Sequence, residues 1–156
     1  MKCDIDGVII RKLTLHHDGR GWLTELFRRD ELDPEVFPAM GYVSMTRPGV
    51  ARGPHEHTDQ ADLFCFIGPS TFRLYLWDNR PGSPSFGDRF CIDIGQDNPA
   101  AVVVPAGVVH AYKNIGEADG LVYNAPNRLY GGAGGGEPVD EIRHEDDPMT
   151  SFKLDD

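Results

Sequence analysis

Long apolar runs are missing from this 156-residue chain. No stretch approaches the roughly 18 apolar residues of a membrane span, and Met1-Lys2-Cys3-Asp4 does not read as the start of a secretory leader. Cysteine is scarce, three residues in all, odd in number and widely spaced. Cys3, Cys65 and Cys91 therefore make no disulfide framework, and the lack of a C-x-x-C pair removes a thiolate zinc site. Cys65 and Cys91 lie inside apolar runs and read as core residues of a protein in a reducing cytoplasm. Basic charge is also short. Fifteen Lys and Arg against 25 Asp and Glu give a formal net charge of −10, which argues against a nucleic-acid backbone or an anionic membrane surface as partner. Helical periodicity is the last absence, since no stretch sustains a 3.6-residue apolar repeat.

What is present is a globular composition, 40% hydrophobic and 10% aromatic, enough to bury a core as one domain. Short strand-like runs recur at residues 8–15, 22–27, 42–46, 63–68, 71–77, 90–94, 100–104, 112–115 and 121–124. Turn chemistry separates them, as in Asp18-Gly19-Arg20-Gly21 and Gly68-Pro69-Ser70. Strands spaced by about eight to twelve residues and bounded by Gly and Pro point to an all-β sandwich or barrel. The core is expected over about residues 8–130, followed by an acidic C-terminal segment, 131–156. Within it, residues 137–156 hold eight acids against two bases and read as a solvated, solubilising end. The glycines of 131–136 lack phosphate-loop spacing and read as a flexible connector.

The stretch richest in chemistry is Arg52-Gly53-Pro54-His55-Glu56-His57, with Gln60 and Asp62 just beyond. Two histidines one residue apart on an extended segment share a face, because strand side chains alternate. Pro105-Ala106-Gly107-Val108-Val109-His110 closes the buried-looking run 100–104. On facing strands of a small barrel, His55, His57 and His110 would converge on one cavity. An imidazole titrates in the range of a general base. Three imidazoles with Asp62 also form a donor set for one divalent transition metal. Both uses stay open.

The spacing of Gly49, His55-x-His57 and Asp62, with Pro105-x-Gly107-x-x-His110-x-x-x-Asn114, resembles the two motifs of the cupin superfamily. That resemblance implies a single-domain double-stranded β-helix, the cupin jelly roll. A narrower one spans about residues 10–150. Its motifs are Asp18-x-Arg20-Gly21-x-x-x-Glu25-x-Phe27, Ser44-x-x-x-x-Gly49-Val50-x-Arg52-Gly53-x-His55 and Arg80-x-x-Ser83-Pro84-x-Phe86-Gly87. With Tyr123, Tyr130 and Asp146-Asp147-Pro148, they resemble the dTDP-4-dehydrorhamnose 3,5-epimerase family.

The family resemblance implies a homodimer without a cofactor, acting on a nucleotide-linked 4-keto-6-deoxyhexose. The reaction would remove a proton from a carbon next to the ketone and return it on the other face. His55 matches the family's base and Tyr123 its acid. Arg20 and Arg52 match arginines that contact the diphosphate and the sugar, work suited to a guanidinium fork. His110 matches a pocket histidine. The family's enolate-stabilising lysine falls at Asp62, so Lys113 becomes its candidate substitute. The positions that read the nucleotide base fall on Met40 and Tyr42. Two rivals stand beside this reading. One is a metal-dependent cupin enzyme with a His55, His57, Asp62 and His110 site. The other is a sugar-nucleotide 3,4-ketoisomerase, which His-x-His followed by Gln60 also resembles, or a non-catalytic sugar-binding cupin.

Overall fold

The computed structural model describes residues 1–154. Twelve strands follow in chain order: β1 (Ile9–Lys12), β2 (His16–Asp18), β3 (Gly21–Leu23), β4 (Tyr42–Thr46), β5 (Ala51–Glu56) and β6 (Asp62–Phe66), then β7 (Thr71–Asp78), β8 (Arg89–Gly95), β9 (Ala100–Val104), β10 (Val108–Asn114), β11 (Gly120–Asn124) and β12 (Ile142–Arg143). Two five-stranded antiparallel sheets result, one ordered β1-β9-β6-β11-β4 and the other β12-β5-β10-β7-β8. Strands β2 and β3 form a separate exposed hairpin. This is the all-β architecture that the spacing of strands and turns predicted, in the jelly-roll form that the cupin resemblance implied.

Strict alternation explains the two faces of each sheet. On β6, Phe64 and Phe66 point into the space between the sheets, while Leu63 and Cys65 point outward. On β10, Val108 and Tyr112 point inward, and Val109 and Ala111 outward. Phe64, Phe66, Phe72 and Tyr112 meet edge-on or tilted between the sheets, at centroid distances of 5.6 to 6.1 Å. Burying each such ring stabilises the fold by about 1.5–3 kcal/mol. The outer face of the first sheet is covered by Leu26, Phe27, Leu32 and Val36 from the segment before β4.

Two expectations are corrected here. The acidic C-terminal segment is not a solvated end: β12 adds to the edge of β5, with Ile142 opposite Glu56 and Arg143 opposite His55. Beyond it, Phe152 and Leu154 cover the outward apolar patch of Tyr75, Trp77, Val109 and Ala111. Two apolar side chains one residue apart suffice for this, however acidic the rest of the segment. Asp155 and Asp156 lie outside the described residues. Cys91, read as a core residue, is exposed, because alternation on β8 sends Ile94 inward and Cys91 to the other face.

Candidate functional site

Strand β5 carries His55 to the mouth of the space between the sheets, and β10 brings His110 directly opposite it in register. Close approach of the two strands depends on Gly53. It sits at φ +81°, and a Cβ there would lie 2.6 Å from the His110 carbonyl oxygen, a contact no other residue type could make. The His55 and His110 rings meet at 4.4 Å between centroids, and His57 lies 5.5 Å from each. One ring nitrogen from each of the three falls within 4.8 Å of those from the other two. The predicted convergence is therefore real.

Asp62, at the first position of β6, closes the cluster from the facing sheet. It is 2% exposed. Its Oδ2 lies 3.0 Å from His57 Nε2 and 3.3 Å from His110 Nε2. Its Oδ1 accepts from Gln60 Nε2 at 3.0 Å and from Asn124 Nδ2 at 3.1 Å. Asn124 Nδ2 also donates to the Tyr42 hydroxyl at 2.8 Å. Two of the three histidines are oriented from behind. His110 Nδ1 donates to the Val108 carbonyl at 3.0 Å, and His57 Nδ1 donates to the Asp140 carbonyl. A carbonyl only accepts, so Nδ1 of both rings bears a proton, and Nε2 of each is turned toward Asp62.

Asp140 does a second job from the C-terminal segment. Its carboxylate accepts the backbone N–H groups of Thr58, Asp59 and Gln60 at 2.7 to 2.9 Å, fixing the turn that presents Gln60. Glu56, on the opposite face of β5, accepts from Asn79 and pairs with His144 at 2.8 Å. His144 is thus part of the anchor that holds β12 in place.

Burial and the neighbouring His110 and His57 push the His55 pKa down from 6.5 to about 2, so this ring is neutral at physiological pH. Burial opposes a charge on His57 too, but the Asp62 carboxylate outweighs it and raises the pKa. Asp62 itself is lowered: the two histidines more than offset the cost of burying its charge. Neutral His55 therefore stands beside a His57–Asp62 pair in which each partner favours the charged form of the other.

The cavity above these residues has a volume of about 1150 Å³. One wall is β5, with Arg52 and His55, and the other is β4, with Tyr42 and Ser44. Phe64 and Tyr112 line it between them, and residues 126–133 and 137–141, with Arg143 and Glu145, form its rim. Arg52 donates to Thr46 Oγ1 at 3.0 Å and to the Met45 carbonyl at 2.9 Å. These are neutral acceptors, so among the described residues no carboxylate cancels its charge.

The other expected site residues fall elsewhere. His110 is 1% exposed and supports His55 from behind instead of lining the cavity. Tyr123 points out of the barrel and packs against the outer cluster that contains Cys65; its hydroxyl lies over Gly41, where a Cβ would meet it at 2.5 Å. Alternation on β11 gives the inward position to Asn124, one residue on. Arg20 sits on the exposed hairpin, paired with Asp18 at 2.6 Å. Lys113 lies at an outward position of β10, opposite Ala51 and Arg73, away from the cavity. Sequence reasoning missed Asp140 and the site-facing place of Asn124. No local motif marks either one.

The family model for dTDP-4-dehydrorhamnose 3,5-epimerase matches residues 2–136. The chain belongs to this family. Its relatives include the probable low-salt glycan biosynthesis epimerase Agl13 of Haloferax volcanii, 39% identical over 129 residues that cover 81% of each chain. A dTDP sugar isomerase from Desulfovibrio desulfuricans shares the fold at TM-score 0.81 and 20% identity, over 96% of this chain and 91% of that one. The Legionella pneumophila 3,5-epimerase, solved with dTDP-4-keto-L-rhamnose, superposes at TM-score 0.78 and 21% identity, over 92% and 75%. The match of the family model stops before β12, so Asp140 and the rest of the C-terminal wall lie beyond it.

Proposed function

We propose that this epimerase-family chain acts on a nucleotide-linked 4-keto-6-deoxyhexose, with His55 as the base that takes the proton next to the ketone. One observation carries the reading. A neutral imidazole lines a cavity of sugar-nucleotide size, next to an arginine whose charge no carboxylate cancels. The ketone acidifies the neighbouring C–H bond, His55 accepts that proton, and the electron pair moves onto the ketone oxygen as an enolate. Arg52 suits a diphosphate, which it would hold by charge and fork geometry. That dianion brings negative charge into the cavity and lifts the basicity of His55 toward a working range. Where the family's lysine is replaced by Asp62, His57 lines the same cavity and, when protonated, would supply positive charge near the enolate instead. Incubation of the protein with 4-keto-6-deoxy sugar nucleotides in deuterated water tests the reading. Deuterium should enter at a carbon flanking the ketone; no uptake with any nucleotide would end it.

A second reading, metal binding, is favoured by a specific observation. Asp62 Oδ2, His110 Nε2 and His55 Nδ1 are enclosed, and apart from the close approaches of Asp62 to His57 and His110 they meet no hydrogen-bond partner among the described residues. Two ligand atoms about 2.1 Å from one metal lie roughly 3.0 to 3.4 Å apart in octahedral or tetrahedral geometry, and Asp62 stands at 3.0 and 3.3 Å from the two imidazoles. Asp62, His57 and His110 meet that spacing, and His55, whose ligand nitrogen lies within 4.8 Å of those of the other two histidines, would complete the set for a divalent first-row ion acting as a Lewis acid on a ligand oxygen. Elemental analysis of dialysed protein and of His57→Ala would decide between the readings, since a stoichiometric metal lost in the variant supports the second.

The pairing of two copies that the family suggests gains support from Val43, Met45 and Leu121, exposed on edge strand β4 and its neighbour; sedimentation would test it. Among the described residues no helix is long and apolar enough to cross a membrane. We place the protein in the cytoplasm on the small number and wide spacing of its cysteines.

A further inference from the structure

Inverting a carbon centre needs a proton removed on one face of the sugar and another delivered on the opposite face. A base and an acid on the same wall of the cavity would return the proton where it came from. His55 belongs to the sheet of β12, β5, β10, β7 and β8, so the acid must reach the ligand from the other sheet. Tyr123 fails because it points out of the barrel. Tyr112 fails for a different reason: it lies on β10, on the same sheet as His55, and its hydroxyl is engaged with Ser44 Oγ at 2.9 Å.

We infer that Tyr42, on edge strand β4 of the facing sheet, is the catalytic acid of this site. The assignment rests on the epimerase reading above. Tyr42 lines the cavity. Its oxygen accepts Asn124 Nδ2 at 2.8 Å, which leaves its own O–H free to point at a ligand. The same amide bond stabilises the oxygen once the proton has left, as a tyrosinate needs. Asn124 is itself held by Asp62, so the donor cannot rotate away. Although Tyr42 stays open to the cavity, 46% exposed, partial desolvation of its hydroxyl raises the pKa, which keeps the phenol protonated before reaction. The register explains how the hydroxyl moved: Tyr42 pairs with Asn124 across β4 and β11, so the inward tyrosine comes from the strand beside the one that carries Tyr123.

In the step, the enolate carbon takes the Tyr42 proton as its double-bond electrons form the new C–H bond, and the ketone re-forms. Tyrosinate then recovers a proton from solvent, and the His55 imidazolium loses one.

The test is Tyr42→Phe assayed in deuterated water, with Tyr112→Phe and wild type alongside. Tyr42→Phe should still wash deuterium into the carbon through His55, without inversion, while epimerised product falls on the order of a hundredfold or more. Tyr112→Phe should still invert. Inversion at the wild-type rate in Tyr42→Phe, or a rise in KM with kcat unchanged, overturns the assignment, the second result making Tyr42 a nucleotide contact. Loss of both exchange and inversion in Tyr42→Phe, with melting temperature preserved, also overturns it. If wild type itself exchanges nothing, the epimerase reading falls first and the assignment goes with it.

Discussion

His55 and His110 stand directly opposite each other on paired strands, with ring centroids 4.4 Å apart. Only His55 reaches the cavity; His110 is sealed behind it. One ring is placed for chemistry and the other for support.

Replacing His55 with Asn should therefore abolish proton exchange while sparing the fold. The expected fall in deuterium uptake is about 10²- to 10⁴-fold, with the β-sheet circular dichroism spectrum unchanged. Exchange that survives in the variant would remove His55 as the base.

Arg52→Ala should weaken nucleotide binding more than it slows turnover. A hydrogen bond to a charged group contributes about 1.5–3 kcal/mol, roughly ten- to a hundredfold in Kd. Calorimetry with a nucleoside diphosphate would measure it, and added salt should shrink the difference between variant and wild type. An unchanged Kd would place the diphosphate elsewhere.

Stability should fall as the solution is made acidic. An unfolded His55 binds a proton below its ordinary value of 6.5, while the folded one resists it to about 2, so each step down in pH through that window favours unfolding. His57 is raised, and its contribution is already complete below 6.5. Asp62 is lowered and loses its contribution only below its ordinary 3.8. Between about pH 6.5 and 4 the slope from this cluster therefore comes from His55. The melting temperature of His55→Asn should depend less on pH there than that of wild type. Parallel curves would count against the burial of this ring as the cause.

Asp140→Ala removes the acceptor for three backbone N–H groups and loosens the turn that presents Gln60. A loss of about 1–3 kcal/mol should lower the melting temperature by several degrees in a chain of this size. Deuterium exchange should fall with it. Asp140→Asn keeps one acceptor oxygen and should recover part of both. A silent Asp140→Ala would mean that the C-terminal wall is not needed for the site.

Much of this was legible in the sequence, for reasons that also explain the failures. His55 and His57 share a face because strands have period 2, and spacing alone shows that. The same period makes a carried-over position unforgiving: one residue separates Tyr123, outside the barrel, from Asn124, inside it. Arg20 matched a motif, but its hairpin stands away from the cavity. The acidic C-terminal segment misled because charge counts say nothing about two apolar residues, Phe152 and Leu154, with a patch to cover. Asp140 acts through backbone groups more than 80 positions away in sequence, a relationship that only folding creates.

The rings of Phe64, Phe66, Phe72 and Tyr112 stand between the two sheets like the shim between two plates. One plate carries His55 and the other Tyr42, so the thickness of this aromatic layer sets the gauge of the gap a sugar must bridge. Shaving it, as Phe66→Leu would, leaves every polar group in place yet lets the plates settle closer. Proton removal needs contact with one plate and inversion needs both at once. A change of gauge should thus uncouple the two half-reactions, from a position that never touches the ligand.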